Sequence, residues 1–161
     1  MSAAEATADT EGDNVLTLER YLPYRLSLLS NTVSREIARR YQRDFGLSIP
    51  EWRVMAVLGR FPGLTASEIV ARTAMDKVTI SRAVARLDAA GHLAKAPDRA
   101  DRRRVALRLS RAGRKVYERI VPLACAYEAE LVAALPAEAL AALDTLIETL
   151  TERARALAGG A

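Results

Sequence analysis

The sequence predicts a mainly α fold with one small β-hairpin, in the order helix, helix, helix, helix, ribbon, helix, helix. Three observations carry this. Alanine and leucine are abundant while aromatics make up 5% of the 161 residues, which favours helix over strand. Two Ser/Thr-x-x-Glu boxes and two further Asp or Ser caps mark helix starts. Only around residues 93–110 does the apolar period change from helical to alternating.

Residues 1–13 are small, polar and acidic and read as a disordered tail. From Tyr21 to Phe45, the residues Leu22, Leu26, Leu29, Val33, Ile37, Tyr41 and Phe45 recur at three- or four-residue steps. This spacing predicts a long amphipathic helix, with Pro23 in its first turn and Gly46 at its end. Tyr24 and Leu28 lie off the stripe, so the helix is apolar on two sides, which in a small protein suggests a partner chain. Ser48-Ile49-Pro50-Glu51 is a capping box opening a helix over roughly Pro50–Arg60, which Phe61-Pro62-Gly63 breaks. Thr65-Ala66-Ser67-Glu68 opens a short helix to about Thr73, and Asp76 caps a helix from Lys77 to about Ala90 that Gly91 stops. Two short capped helices joined by about three residues form a helix-turn-helix pattern.

Leu93–Ala96 then reads as a short strand. Val105, Leu107 and Leu109 alternate with Arg104, Ala106, Arg108 and Ser110 at strand spacing, and a polar tip, 97–103, joins the two runs. Ser110 caps a helix through Val116, Ile120, Leu123 and Tyr127 to about Leu131, which Pro122 is expected to kink. Leu135-Pro136 starts a last helix carrying Leu140, Leu143, Leu146, Ile147 and Leu150.

Charge and composition narrow the function. The net charge of +4 is unevenly placed. Between Arg60 and Lys115, fourteen Lys/Arg face five Asp/Glu, a net +9; the remaining ten Lys/Arg and fifteen Asp/Glu give −5. A basic middle between acidic ends is the footprint of a polyanion partner, most often nucleic acid, although a solvated charged face has the same composition. No run of about 18 uncharged apolar residues crosses a membrane and no secretory leader opens the chain. The single cysteine cannot form an internal disulfide. A cytoplasmic protein is expected. No Gly-rich phosphate loop, nucleophile elbow or paired histidine ligands are present, so neither a catalytic set nor a metal site nor a cofactor is expected.

The helix from Lys77 carries the most specific chemistry. Ile80, Ala83, Val84 and Leu87 fall on one side, at about 100° per residue. Val78, Ser81, Arg82, Ala85 and Ala89 fall opposite, flanked by Lys77, Thr79 and Arg86. Small residues permit close approach to a major groove, Ser, Thr and Arg reach base edges, and Val78 suits a thymine methyl. Lys77 and Thr79 are placed to hold phosphates near the helix N-terminus. Taken alone, this face is equally a charged solvent surface on a core helix. The ribbon tip adds Arg99, Arg102 and Arg103, with Arg104 just beyond. Arginines on a narrow hairpin can enter a minor groove, where A·T tracts deepen the negative potential. Asp98 and Asp101 would then hold neighbouring arginines or cap the turn.

In order and spacing, Asp76-Lys77-Val78-Thr79-Ile80-Ser81-Arg82, then Leu87, Gly91 and Leu93, then Asp98…Asp101-Arg102-Arg103, then Leu107…Leu109-Ser110…Gly113 resemble the winged-helix module of MarR-family transcriptional regulators. The resemblance extends from about Tyr21 to Tyr127. It implies a winged helix-turn-helix domain over 47–112, flanked by dimerisation helices over 14–46 and 113–161. It further implies a homodimer on a palindromic double-stranded DNA operator, usually a repressor released by a small ligand. Lys77, Thr79, Ser81 and Arg82 match the family's recognition helix. Val78 stands where such motifs often carry Ser, and Ala100 where the wing commonly carries Arg, leaving Arg99 or Arg102 for the minor groove.

Effectors of the family are often aromatic acids or phenols bound between the dimer helices and the DNA-binding lobe. Tyr24, Arg25, Asn31, Trp52 and Met55 are candidates to line such a crevice, Arg25 pairing with a carboxylate. Trp52 and Met55 at helical spacing are more often core, and Arg25 also suits a pair with Glu19 or Glu51. Cys125, in a late Ala-rich helix, is expected to be a buried inert thiol. His92, the only histidine, follows a helix-stopping Gly and suits a turn or hinge. The alternative function is a helical interaction module whose basic ribbon binds an acidic protein.

Overall fold

The computed structural model describes residues 15–97 and 103–160; the N-terminal tail and the ribbon tip carrying Arg99 and Arg102 lie outside them. Six helices and one hairpin follow the expected order: α1 (Leu22–Phe45), α2 (Ile49–Arg60), α3 (Ala66–Thr73), α4 (Lys77–Ala89), β1 (Leu93–Pro97), β2 (Val105–Leu109), α5 (Arg111–Val132) and α6 (Ala137–Gly159).

Local chemistry sets the boundaries. Ser48 and Thr65 each accept from the backbone N–H three residues on, and Glu51 and Glu68 accept in return from the Ser48 and Thr65 backbone N–H groups at 2.7 Å. Each box satisfies two donors that the first helical turn leaves unpaired. Gly46 ends α1 at φ 67°, a conformation that costs a side-chain-bearing residue about 1–2 kcal/mol. α5 runs as one helix from Arg111 to Val132 with Pro122 inside it, and Pro136 is the N-cap residue of α6.

The core sits in the central lobe. Val54, Met55, Leu58, Ile69, Ile80 and Ile120 are fully buried, and Leu87, Leu107 and Leu109 join them. Residues three or four apart on α2 and α4 meet here, each burial removing side-chain area from water worth about 1.5–3 kcal/mol. β1 and β2 pair antiparallel with Leu93 opposite Leu109 and Pro97 opposite Val105. Leu64 adds a bridge to Leu107, with Leu107 N–H donating to Leu64 O at 2.8 Å and Gly63 N–H to Leu107 O at 2.8 Å. Alternation holds at Leu107 and Leu109, but Val105 is half exposed because the outer end of the ribbon extends past the core.

The terminal helices lie outside this core. α1 is tied to α5 by Arg40, which pairs with Glu130 and lies over the Tyr127 ring, and by Arg119 over Phe45. α6 buries none of its residues in the protomer, leaving Leu143, Leu146, Ile147 and Leu150 exposed. Among the described residues no single helix is long and apolar enough to cross a membrane. α5 and α6 pass that test only as a pair, across a 109° bend.

Candidate nucleic-acid interface

The connection between α3 and α4 is short and fixed. Thr73, buried at the end of α3, donates its hydroxyl to Ile69 O at 2.9 Å, while Arg53 of α2 donates to Thr73 O at 3.4 Å. Ala74 then turns at φ 51°, a strained conformation for a residue with a Cβ, held by the packing on either side. Asp76 caps α4: its Oδ1 accepts from Thr79 N–H at 2.8 Å and its Oδ2 from the Thr79 hydroxyl at 2.6 Å. These bonds, the hydroxyl first, hold the Asp76 carboxyl below its usual range.

The two sides of α4 separate as its periodicity requires. Ile80, Ala83 and Leu87 are at most 3% exposed, whereas Val78 is 58% exposed and Lys77, Ser81, Arg82, Ala85, Arg86 and Ala89 all face solvent. Among the described residues Lys77, Arg82 and Arg86 make no ion pair. Arg82 and Arg86 flank a notch of about 180 Å³ that α4 forms with Ser48 and Pro50 at the start of α2. Thr79 has a different duty from the expected phosphate contact. Its hydroxyl proton is spent on Asp76, so it serves the helix cap before any partner.

On the ribbon, Arg103 is exposed and lies at the edge of the described residues; the expectations for Arg99 and Arg102 fall outside them. Arg104 is not part of a free tip. Its Nη2 donates to Thr65 Oγ1 at 2.8 Å and lies 3.8 Å from Glu68 Oε2. Sequence reasoning missed this anchor, because the capping box at Thr65 gives no sign that a third residue, 39 positions on, will use the same hydroxyl.

The effector candidates divide. Tyr24 and Arg25 line a groove of about 560 Å³ along α1 with Glu19, Leu28, Leu29 and Thr32. Asn31 is exposed but does not line it. Trp52 and Met55 do not join them. Met55 is wholly buried, and Trp52 packs in an aromatic row, 5.1 Å from Tyr41 and 6.0 Å from Tyr117. Their three-residue spacing turns both toward the core of the lobe, away from the outer end of α1. Glu51 is committed to the Ser48 cap, and Arg25 makes no ion pair among the described residues. Cys125 is exposed, not buried as expected: its neighbour Ala124 packs against the core, and one residue on along a helix, about 100° round, the side chain faces solvent. His92 sits at the α4–ribbon junction, its N–H donating to Leu87 O and its carbonyl accepting from Ser110 N–H, while its Nδ1 is buried with no hydrogen-bond partner among the described residues. No group of three or more metal-ligating side chains gathers among the described residues.

Residues 45–104, from the end of α1 through the ribbon turn, match the model of the MarR family. Over these residues the chain is similar to the MarR family. The HTH-type transcriptional regulator TtmR of Methylorubrum extorquens is 38% identical over 68 residues, which cover 42% of this chain and 35% of that protein's length. A MarR/EmrR family transcriptional regulator from Acinetobacter superposes with a TM-score of 0.81 at 22% identity, covering 87% of this chain and 99% of that one. The PcaV transcriptional regulator of Streptomyces coelicolor, solved with its natural ligand, gives a TM-score of 0.70 at 26% identity, over 88% and 99% of the two chains. In this MarR-type frame α3 and α4 are the helix-turn-helix, α4 is its second helix, and β1–β2 is the wing.

Proposed function

We propose that this chain is a sequence-specific DNA-binding transcriptional regulator acting as a homodimer. The observation that carries the reading is the outward face of α4. Ser81, Arg82 and Arg86 stand exposed on the second helix of a MarR-type module, and both arginines lack an ion-pair partner among the described residues. An unpaired guanidinium offers a planar donor fork to a guanine edge or a phosphate. In this reading Lys77 holds phosphate at the helix start, Val78 contacts an apolar base edge, Ser81, Arg82 and Arg86 read the major groove, and the wing arginines, Arg103 among them, meet the minor groove.

Residues 14–46 and 113–161 form the association surface, and 47–112 the DNA-binding lobe. The exposed leucines of α1 and α6 support this, since such area is stable in water only when covered. Two lobes related by a twofold axis would address a palindrome, with recognition helices about 34 Å apart. A small aromatic acid or phenol in the groove of Tyr24 and Arg25 would pair with Arg25 and favour a different lobe separation, releasing the operator. The ligand-bound PcaV structure supports an effector of some kind.

The testing experiment is a salt series on a palindromic duplex. Affinity should fall steeply with ionic strength, log K against log salt having a slope of about −0.9 per phosphate contacted. A flat response overturns the DNA reading. A ligand that raises the melting temperature without altering operator affinity overturns the effector part alone.

A further inference from the structure

We propose that Arg104 is a positioning residue that fastens the wing to the first helix of the helix-turn-helix. This rests on the DNA-binding reading for its consequence, but not for its geometry. The ribbon is attached to the lobe at two levels. At its base Leu107 exchanges backbone hydrogen bonds with Gly63 and Leu64. Three residues toward the tip, about 10 Å further at strand spacing, Arg104 donates to Thr65 Oγ1 and faces Glu68 Oε2.

Between those levels Ala96 pairs with Ala106 and Pro97 with Val105, and Val105 is half exposed. A two-stranded ribbon of this length has little stability of its own in water. The Arg104 anchor therefore sets the angle at which the outer ribbon leaves the lobe.

The donor arithmetic at Thr65 favours arginine. The Thr65 hydroxyl donates its one proton to Glu68 Oε2 at 2.7 Å, and its oxygen accepts from Glu68 N–H and from Arg104 Nη2. Donor and acceptor capacity are both filled, and the guanidinium carries charge to the same carboxylate. The box that starts α3 is thus also the socket of the wing. Because α3 packs on α4, the angle of the wing is referred to the helix that would read the major groove. A merely structural salt bridge would not couple the two grooves; this one fixes the spacing between them.

The test uses the full-length protein in two arms. In hydrogen exchange without DNA, Arg104→Gln should speed exchange of the amides at 103–106 by about tenfold or more. Arg108→Gln, which removes an exposed arginine from the same strand, should leave them unchanged. Unaltered exchange in Arg104→Gln overturns the anchor whatever the DNA result. The second arm measures binding to duplexes selected by the wild-type protein from a 40-base-pair pool with a random centre. Arg104→Gln should lose about tenfold on duplexes with A·T flanks and less on G·C flanks, with the salt slope unchanged. Equal loss on both flanks with a slope shallower by about one would make Arg104 a phosphate ligand, and no loss would leave the wing angle without consequence; either overturns the proposal. Should the wild-type protein select no duplex, the regulator reading fails, while the exchange arm still decides the anchor.

Discussion

Replacing Gly113 by alanine probes the joint where the central lobe meets α5. Helix propensity alone favours the change by about 0.5–1 kcal/mol, since glycine is costly within a helix. The structure reverses the sign. A Cβ at 113 would lie 2.1 Å from the carbonyl oxygen of His92, which belongs to backbone and cannot swing aside. To clear it the start of α5 must lift by about 1 Å or more. That motion strains the bond from Ser110 N–H to His92 O at 2.9 Å and the one from the Ser110 hydroxyl to Gly91 O at 2.7 Å. Overpacking of this kind costs about 1–3 kcal/mol, and two weakened hydrogen bonds add about 1 kcal/mol each. After subtracting the propensity gain, the net loss is about 2–4 kcal/mol. In a chain of this size each kcal/mol moves the melting temperature by about 2–4 °C. Thermal and denaturant unfolding at one fixed protein concentration would read it, because association makes stability concentration-dependent. A Gly113→Ala protein as stable as wild type, or more so, refutes the packing argument.

Other substitutions separate recognition, core, cap and association. Arg82→Ala should weaken operator binding by about 1–3 kcal/mol and relax sequence preference while leaving the melting temperature nearly unchanged, as read by titration against matched and mismatched duplexes. Met55→Ala, at a fully buried position, should cost about 2–5 kcal/mol of stability in denaturant unfolding, and any loss of ligand affinity should be no greater than the loss of folded protein explains. Asp76→Ala should destabilise α4 at neutral pH. Because the native carboxyl lies below its usual range, the cap acts fully above that range and is lost as pH falls through the depressed native value. Unfolding curves of variant and wild type should therefore converge in acid, and a pH-independent gap contradicts the cap. Aspartate at both Leu146 and Ile147, each more than half exposed on α6, should yield monomers by light scattering and weaken binding to a palindrome more than to a half-site.

Much of the fold was legible because its elements are written in local chemistry. Each capping box and the Asp76 and Ser110 caps begin helices where their side-chain oxygens reach the third residue on. The alternation through Leu107 and Leu109 gives the strand. The two faces of α4 also follow from periodicity, since a helix with Ile80, Ala83 and Leu87 in line can bury only one side. What sequence did not reveal depends on contacts between distant residues. Trp52 and Met55 favour a core over a crevice by their helical spacing, and the packing of α2 against α1 and α5 puts them there. Cys125 looks like an inert apolar position in an Ala-rich helix, yet it is Ala124 beside it that packs on the core, leaving Cys125 exposed. Thr79 has the chemistry of a phosphate contact, but Asp76 three residues earlier takes its proton. Arg104 reads as one more basic residue just beyond the tip, and its role emerges only when β2 lies beside the start of α3.

The central claim is that the Ser81–Arg82 face of α4 enters a major groove in each half of a twofold site. Methylation interference on a duplex selected by the wild-type protein tests it most directly. Interfering guanine N7 positions are expected in two successive major grooves about one helical turn apart, with the signal at the same guanines lost in Arg82→Ala. Interference confined to the minor groove, or a major-groove pattern identical in wild type and Arg82→Ala, would contradict it.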